Sequence, residues 1–297
     1  MNKFYTALFF LIVLQINVFA SKENKNNLIK NIEKNISTYN DIALKIWDYA
    51  EVGYKEEKSS KELIQILKNN GFKITEGVAG IPTAFIAEYG FGEPVVGILG
   101  EYDALPGLSQ SNNPKKERRS GVNSGHGCGH NLFGVASAAA AIATKEWLMA
   151  SKTKGTIRFY GCPAEEGGSG KVYMVREGLF DDVDVALHWH PSSKNRASAG
   201  STLANKTGKI RFYGTSAHAA GAPERGRSAL DGLEAMNNML NMMREHVEEK
   251  SRIHYIITKG GDAPNVVPNF AEGYYYVRNP NPEEVRKMWK RVELCAE

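Results

Sequence analysis

Apolar residues recur at helical spacing over residues 28–49, through Leu28, Ile32, Ile36, Tyr39, Ile42 and Ile46, which predicts an amphipathic helix. A second such stretch follows Glu56, carries Leu63, Ile64 and Leu67, and stops at Asn70-Gly71, a pair suited to end a helix. The pattern then becomes strand-like. Residues 83–88 and 95–100 read as strands, the second continuously apolar, as a strand covered on both faces must be. An alanine-rich run at 135–150 predicts a buried helix, followed by strand 156–161, helix 171–177 and strand 183–187. This alternation predicts an α/β domain over residues 21–197, a mostly parallel sheet with helices on both faces. After about Asn195 the texture changes: strand 206–213, a long helix 228–248, strands 253–259 and 272–278, and a helix from Pro282. That β-α-β-β-α order is a ferredoxin-like α+β unit short of its last strand, so residues 198–297 are expected to form a second, smaller domain.

The first twenty residues stand outside this scheme. Lys3 precedes an apolar run over 5–18, and Val18-Phe19-Ala20 offers small residues where a signal peptidase reads. The expectation is a signal peptide over 1–20 and an exported, periplasmic or secreted, mature protein. No later segment reads as a membrane span. The chain of 297 residues, 42% hydrophobic and 24% charged, can bury a sizeable core. Its formal charge of +4 gives no reason to invoke nucleic acid, and the basic knot Lys115-Lys116-Glu117-Arg118-Arg119 reads as a solvated loop.

Candidate chemistry collects where strands end. Gly125-His126-Gly127-Cys128-Gly129-His130-Asn131 sets a thiol and an imidazole two residues apart in a glycine-rich loop, a donor pair that suits zinc-like ions. The plainer reading is a glycine-rich turn with a buried Cys, and a Cys128–Cys162 disulfide competes with it in an exported chain; Cys295 has no evident role. Glu165 and Glu166 follow strand 156–161. On extended chain they would point in opposite directions, one free to bind metal and the other to take a proton from water. His188 and His190 end strand 183–187, and Asp103 follows strand 95–100 as a carboxylate able to orient a ligating imidazole. In α/β sheets ligands bind at the carboxyl ends of the strands, where all of these lie. The run Gly167-Gly168-Ser169-Gly170-Lys171 lacks the spacing of a phosphate loop, and no Gly-x-Ser-x-Gly elbow is present.

Taken in order, Gly-Glu-Tyr-Asp-Ala-Leu-Pro (100–106), Gly-His-Gly-Cys-Gly-His-Asn (125–131), Pro-Ala-Glu-Glu-Gly (163–167) and the His188/His190 strand resemble the metal-dependent amidohydrolases of the aminoacylase/carboxypeptidase class. The resemblance covers nearly the whole chain after residue 20. It implies two divalent metal ions, Zn or Mn, and hydrolysis of amide bonds in N-acyl or N-aroyl amino acids, aminobenzoyl-glutamate-like or dipeptide-like substrates included. Cys128, His130 and Glu166 would be ligands, Glu165 the general base, and His188 or His190 a further ligand that spacing does not choose between. The second domain would be a lid and dimerisation domain, joining a homodimer or a companion subunit. There His218 would reach the tetrahedral intermediate, Asn265 would position substrate, and Arg278 would clamp its carboxylate. The resemblance also implies a return to the catalytic domain and a last metal-binding His beyond Glu297, which His218, His246 and His254 are not placed to replace. The expectation is therefore a fragment with impaired activity, an open sheet edge and exposed apolar surface. The alternative is a non-catalytic protein that keeps the fold and captures a carboxylate ligand.

Overall fold

A computed structural model describes residues 25–197 and 200–297. The expected signal peptide lies outside the described residues. The chain divides into two compact units, one ending at Asn195 and the other spanning Arg196–Glu297, where the change of sequence texture predicts a boundary.

In the first unit, the helix expected over 28–49 is broken by a turn at Asn35, and α1 runs Ile36–Tyr49. It is followed by α2 (Glu57–Asn69), β1 (Lys73–Glu76), β2 (Phe85–Phe91) and β3 (Val95–Gly100). A small hairpin, β4 (Leu105–Pro106) with β5 (Ser124–Gly125), precedes α3 (His130–Ser151). Then come β6 (Gly155–Gly161), α4 (Gly170–Arg176) and β7 (Val185–Leu187).

The sheet order is β1-β2-β6-β3-β7. Strand β3 pairs parallel with β6 on one side and β7 on the other, while β2 is antiparallel to both β1 and β6. Four strands thus share one direction and β2 opposes them. The chain leaves β3 for β6 and returns past β3 to β7, so right-handed crossovers set α3 and α4 on opposite faces. Alternation along the strands records this. Ile98 and Phe159 enter the core beneath α1, α2 and α3, whereas their neighbours Leu99 and Tyr160 pack with Met174 of α4. Because Val95 pairs with Thr156 and Gly100 with Gly161, β3 and β6 end at one level.

By length and composition α3, with 22 residues, could cross a membrane, but 56% of its apolar window is buried, as in a core helix. It begins five residues before the alanine run. Gly134 makes that close packing possible, since a Cβ there would stand 2.6 Å from the Glu101 carbonyl. At the sheet's edge β7 exposes Val185 and Leu187.

The second unit contains β8 (Ala204–Tyr213), α5 (Ala229–Met243), β9 (Arg252–Lys259), β10 (Phe270–Asn279) and α6 (Pro282–Leu294). The antiparallel order β8-β10-β9 is the one a ferredoxin-like unit requires. Leu233, Met236 and Leu240 of α5 meet Tyr275 and Val277 of β10 and Trp289 of α6 in its core. Caps fix both helices: Ser228 accepts the Asp231 N–H and Asn281 accepts the Glu283 N–H.

Candidate metal centre

Three adjacent parallel strands and the start of α3 meet at one rim. Gly129, at φ 73°, turns the loop into α3, so His130 opens the helix with its ring fully buried. His130 Nδ1 donates to the Asp103 carbonyl at 2.9 Å and to its carboxylate at 3.0 Å. The contact is of the kind that orients an imidazole, and it aims Nε2 at the rim. That nitrogen lies 3.0 Å from Glu101 Oε2, yet both atoms are buried without a hydrogen bond. Burial alone would lower the His130 pKa, but Asp103 and Glu101 outweigh it and push it up to about 10.

Donor atoms of Cys128, His130 and His190 lie within 4.8 Å of one another, and so do those of Glu101, His130 and Glu165. Glu166 is held through its backbone, its N–H donating to Asp103 Oδ2 at 2.8 Å, while its own Oε1 is buried and unpartnered. Burial, then a hydrogen bond to Glu166 and the charges of Glu166, Glu165 and Asp103, raise the Cys128 thiol to about 12. Burial, followed by the charges of Glu101 and Glu166, also raises the Glu165 carboxyl. Four carboxylates, a thiol and orphaned buried atoms on His130, Glu101 and Glu166 therefore crowd one rim. A divalent cation is the group that reverses each of these pressures, so the residues fit one.

Sequence reasoning did not anticipate Glu101 or Lys171. Glu101 is buried, and pairs with Lys171 and with His188 Nε2 at 3.3 Å; the imidazoles and the ammonium hold its carboxyl well below the usual range despite burial. The signal was its place directly after the continuously apolar strand β3, but nothing local named its partners. His188 thus lies on Glu101 while His190 joins Cys128 and His130, their rings 5.5 Å apart for the latter pair.

One expectation needs correction, and one competing alternative falls away. Glu165 and Glu166 are not on extended chain: they begin a short turn, Glu165–Gly168, entered through Ala164 at φ 56°. Cys128 and Cys162 do not pair, for Cys162 packs on the α4 face and all three cysteines are free.

In the second unit, Val267 N–H donates to the Ala217 carbonyl and Ala219 N–H to that of Asn265, so His218 and Asn265 are neighbours on facing segments. His218 Nδ1 accepts backbone N–H groups from Ala220 at 3.2 Å and Gly221 at 3.0 Å, which leaves the proton of the neutral ring on Nε2. Arg278 does not join them. Phe270 pairs with Tyr213 at the end of β10 near these segments, whereas Arg278 pairs with Asn205 and Arg252 at the far end, roughly 25 Å along the strand. Its guanidinium lies over the Tyr276 ring. One small substrate cannot touch all three residues in a single copy of this unit.

The mostly parallel sheet and the α+β unit that follows it give the chain the fold of the M20 peptidases. Residues 204–297 match the peptidase dimerisation domain of that group. A p-aminobenzoyl-glutamate hydrolase subunit from Escherichia coli is 50% identical over 269 residues, covering 90% of this chain and 56% of that protein. The Xaa-Arg dipeptidase of Mus musculus is 32% identical, over 84% of this chain and 57% of its own length. The chain thus spans little more than half the length of these relatives. Among solved structures, an aminobenzoyl-glutamate utilization protein from Klebsiella pneumoniae superposes with a TM-score of 0.63 at 19% identity, over 91% of this chain and 73% of that one. The Bacillus subtilis YXEP protein, a dinuclear metal-binding peptidase of the M20 family, gives 0.59 at 22% identity, over 88% and 69%. The chain is a homologue of the p-aminobenzoyl-glutamate hydrolase of Escherichia coli, with the fold of the M20 peptidases.

Proposed function

We propose that this chain serves a divalent-metal-dependent hydrolase of amide bonds in N-acyl or N-aroyl amino acids, aminobenzoyl-glutamate-like and dipeptide-like compounds among them. The observation that carries the reading is the buried Nε2 of His130, 3.0 Å from Glu101 Oε2 without a hydrogen bond to it and aimed at a rim shared with Cys128, Glu165, Glu166 and His190. Cys128, His130, Glu166 and His190 would hold zinc or manganese, with His188 kept on Glu101 or released from it to a second ion. Bound there, the metal supplies Lewis acidity to water and to the scissile carbonyl.

Glu165 does the proton work. Its raised carboxyl is a better base than an ordinary exposed Glu, and it can pass the proton from the attacking water to the leaving amine. On the dimerisation domain, the Nε2–H of His218 is a donor suited to an oxyanion, with Asn265 beside it to orient substrate. The domain joins a second copy or a companion subunit, and the mature protein is exported.

The test is to assay p-aminobenzoyl-glutamate and a panel of N-acyl amino acids with metal-loaded, chelated and reloaded protein. Hydrolysis that vanishes on chelation and returns with Zn²⁺ or Mn²⁺ is the expected result. Ligand binding that survives chelation, with no turnover in any state, would instead identify a non-catalytic carboxylate-binding protein.

A further inference from the structure

Glu56 belongs to none of the motifs above, yet it is fully buried, and its place in the fold is unusual. It occupies the N-cap position of α2 but makes no capping bond to that helix. The task falls to Glu51, whose carboxylate accepts the N–H groups of Lys58 at 3.1 Å and Ser59 at 2.9 Å. Glu56 is thereby free to turn into the protein. Its Oε1 accepts the N–H of Ala164 at 2.8 Å and its Oε2 the Thr83 hydroxyl at 3.0 Å, while the Thr83 carbonyl accepts the Tyr102 hydroxyl at 2.5 Å.

Ala164 stands directly before Glu165 and Glu166, at φ 56° and ψ 41°, a left-handed conformation that an L-residue with a Cβ resists. Strain of this kind persists only where surrounding contacts over-determine it. The loop between α1 and α2 provides such contacts at both ends of the turn. Besides Glu56 on Ala164, the Tyr54 hydroxyl donates to the Gly168 carbonyl at 2.5 Å. The same loop is bridged to Ala104, next to Asp103, through the Ala104 N–H and the Glu51 carbonyl at 2.8 Å. One loop therefore grips the chain beside the carboxylate that orients His130 and beside both rim glutamates.

We propose that Glu56 is a positioning residue: its carboxyl holds Ala164 left-handed, so that the following turn presents Glu165 and Glu166 to the rim. The proposal rests on the reading that those glutamates serve a metal centre. Burial pushes the Glu56 carboxyl above the usual range, but the job does not depend on its charge. A glutamine oxygen can accept the Ala164 N–H equally well, with its NH₂ donating to the Thr83 hydroxyl oxygen.

The test combines Glu56→Gln, Glu56→Ala, Ala164→Gly and the double variant Glu56→Ala/Ala164→Gly in the full chain. Two measurements are made: the melting temperature of the metal-free protein, and Co²⁺ affinity by competition with a chromophoric chelator. Glu56→Ala is expected to weaken Co²⁺ binding about 10–100-fold, as loss of a supporting contact does, and Glu56→Gln to leave it near the parent's. Glycine takes φ 56° without a Cβ penalty. Adding Ala164→Gly should therefore recover most of the melting temperature lost in Glu56→Ala. If Glu56→Ala is too unstable to purify, recovery of soluble protein in the double variant is the expected result.

Additive losses in the double variant, its failure to rescue solubility, or a Glu56→Gln variant as weak as Glu56→Ala would overturn the clamp. Failure of the parent itself to take up Co²⁺ would strike the metal reading alone, because the thermal cycle still decides what Glu56 does to Ala164.

Discussion

The two units hold their candidate residues in opposite ways. At the rim of the first, His130, Asp103 and Glu101 are buried; both Asp103 oxygens are hydrogen-bonded, while His130 Nε2 and Glu101 Oε2 face each other without a hydrogen bond. In the second, His218 and Asn265 are exposed, and the pairing that joins their segments is ordinary main-chain hydrogen bonding. Burial of polar groups without partners is costly, so the first arrangement itself calls for a ligand. The pair His218 and Asn265 calls for nothing, since an exposed histidine on a turn is stable with or without a substrate, and the role proposed for it comes from the resemblance to known hydrolases; the one orphaned atom among the second unit's candidates is Arg278 Nε, at the far end of β10.

That contrast can be broken most sharply at Glu165. Glu165→Gln should lower kcat about 10²–10⁴-fold with metal content, read by elemental analysis, unchanged; retained turnover would remove Glu165 as the base. His218→Ala comes next, with an expected loss in kcat of about 10²–10³-fold. Its Co²⁺ affinity should match the parent's, and a fall in affinity would mean that the two units do not divide binding from catalysis. Core deletions compare the units on equal terms. Leu63→Ala and Leu233→Ala each empty a fully buried site, and each should cost about 2–5 kcal/mol in denaturant unfolding. A cost near zero at either would show that the core there is not as packed as its burial implies.

The smallest effect concerns pH. Arg211, then Thr258 and Lys209, hold the Glu272 carboxyl down at about 2 against an ordinary value of 4.5. A carboxyl depressed by folding contributes stability that is present above its unfolded pKa and lost as pH falls from about 4.5 through about 2. Glu272→Gln should flatten that acid limb in a melting series, and an unchanged limb would assign the loss to the rim carboxylates instead.

Much of the site was legible because in a parallel sheet functional groups gather at strand ends, and strand ends can be read from periodicity. Asp103, Glu165, Glu166, His188 and His190 became candidates in this way, and Cys128 and His130 by their spacing in a glycine-rich loop; the structure brings these side chains to one rim. Glu101 was passed over although it directly follows the most apolar strand, since its partners Lys171 and His188 come from 70 and 87 residues away. Strand β1 was missed because Lys-Ile-Thr-Glu is short, largely exposed and carries too little alternation to register. The start of α3 was placed too late because a glycine turn and a histidine do not look helical until the backbone of the loop is known.

By itself the sequence determined the longer elements and their order, the two units and their boundary, and the set of residue types that meet at one rim, because local periodicity and turn chemistry act over a few residues. Only the tertiary structure decided which of two histidines lies with Cys128, that Arg278 stands a strand's length from His218, and that Glu56 reaches Ala164 across 108 residues. Those facts depend on sheet order, register and the direction in which a buried side chain finds its partner, and no local pattern carries that information.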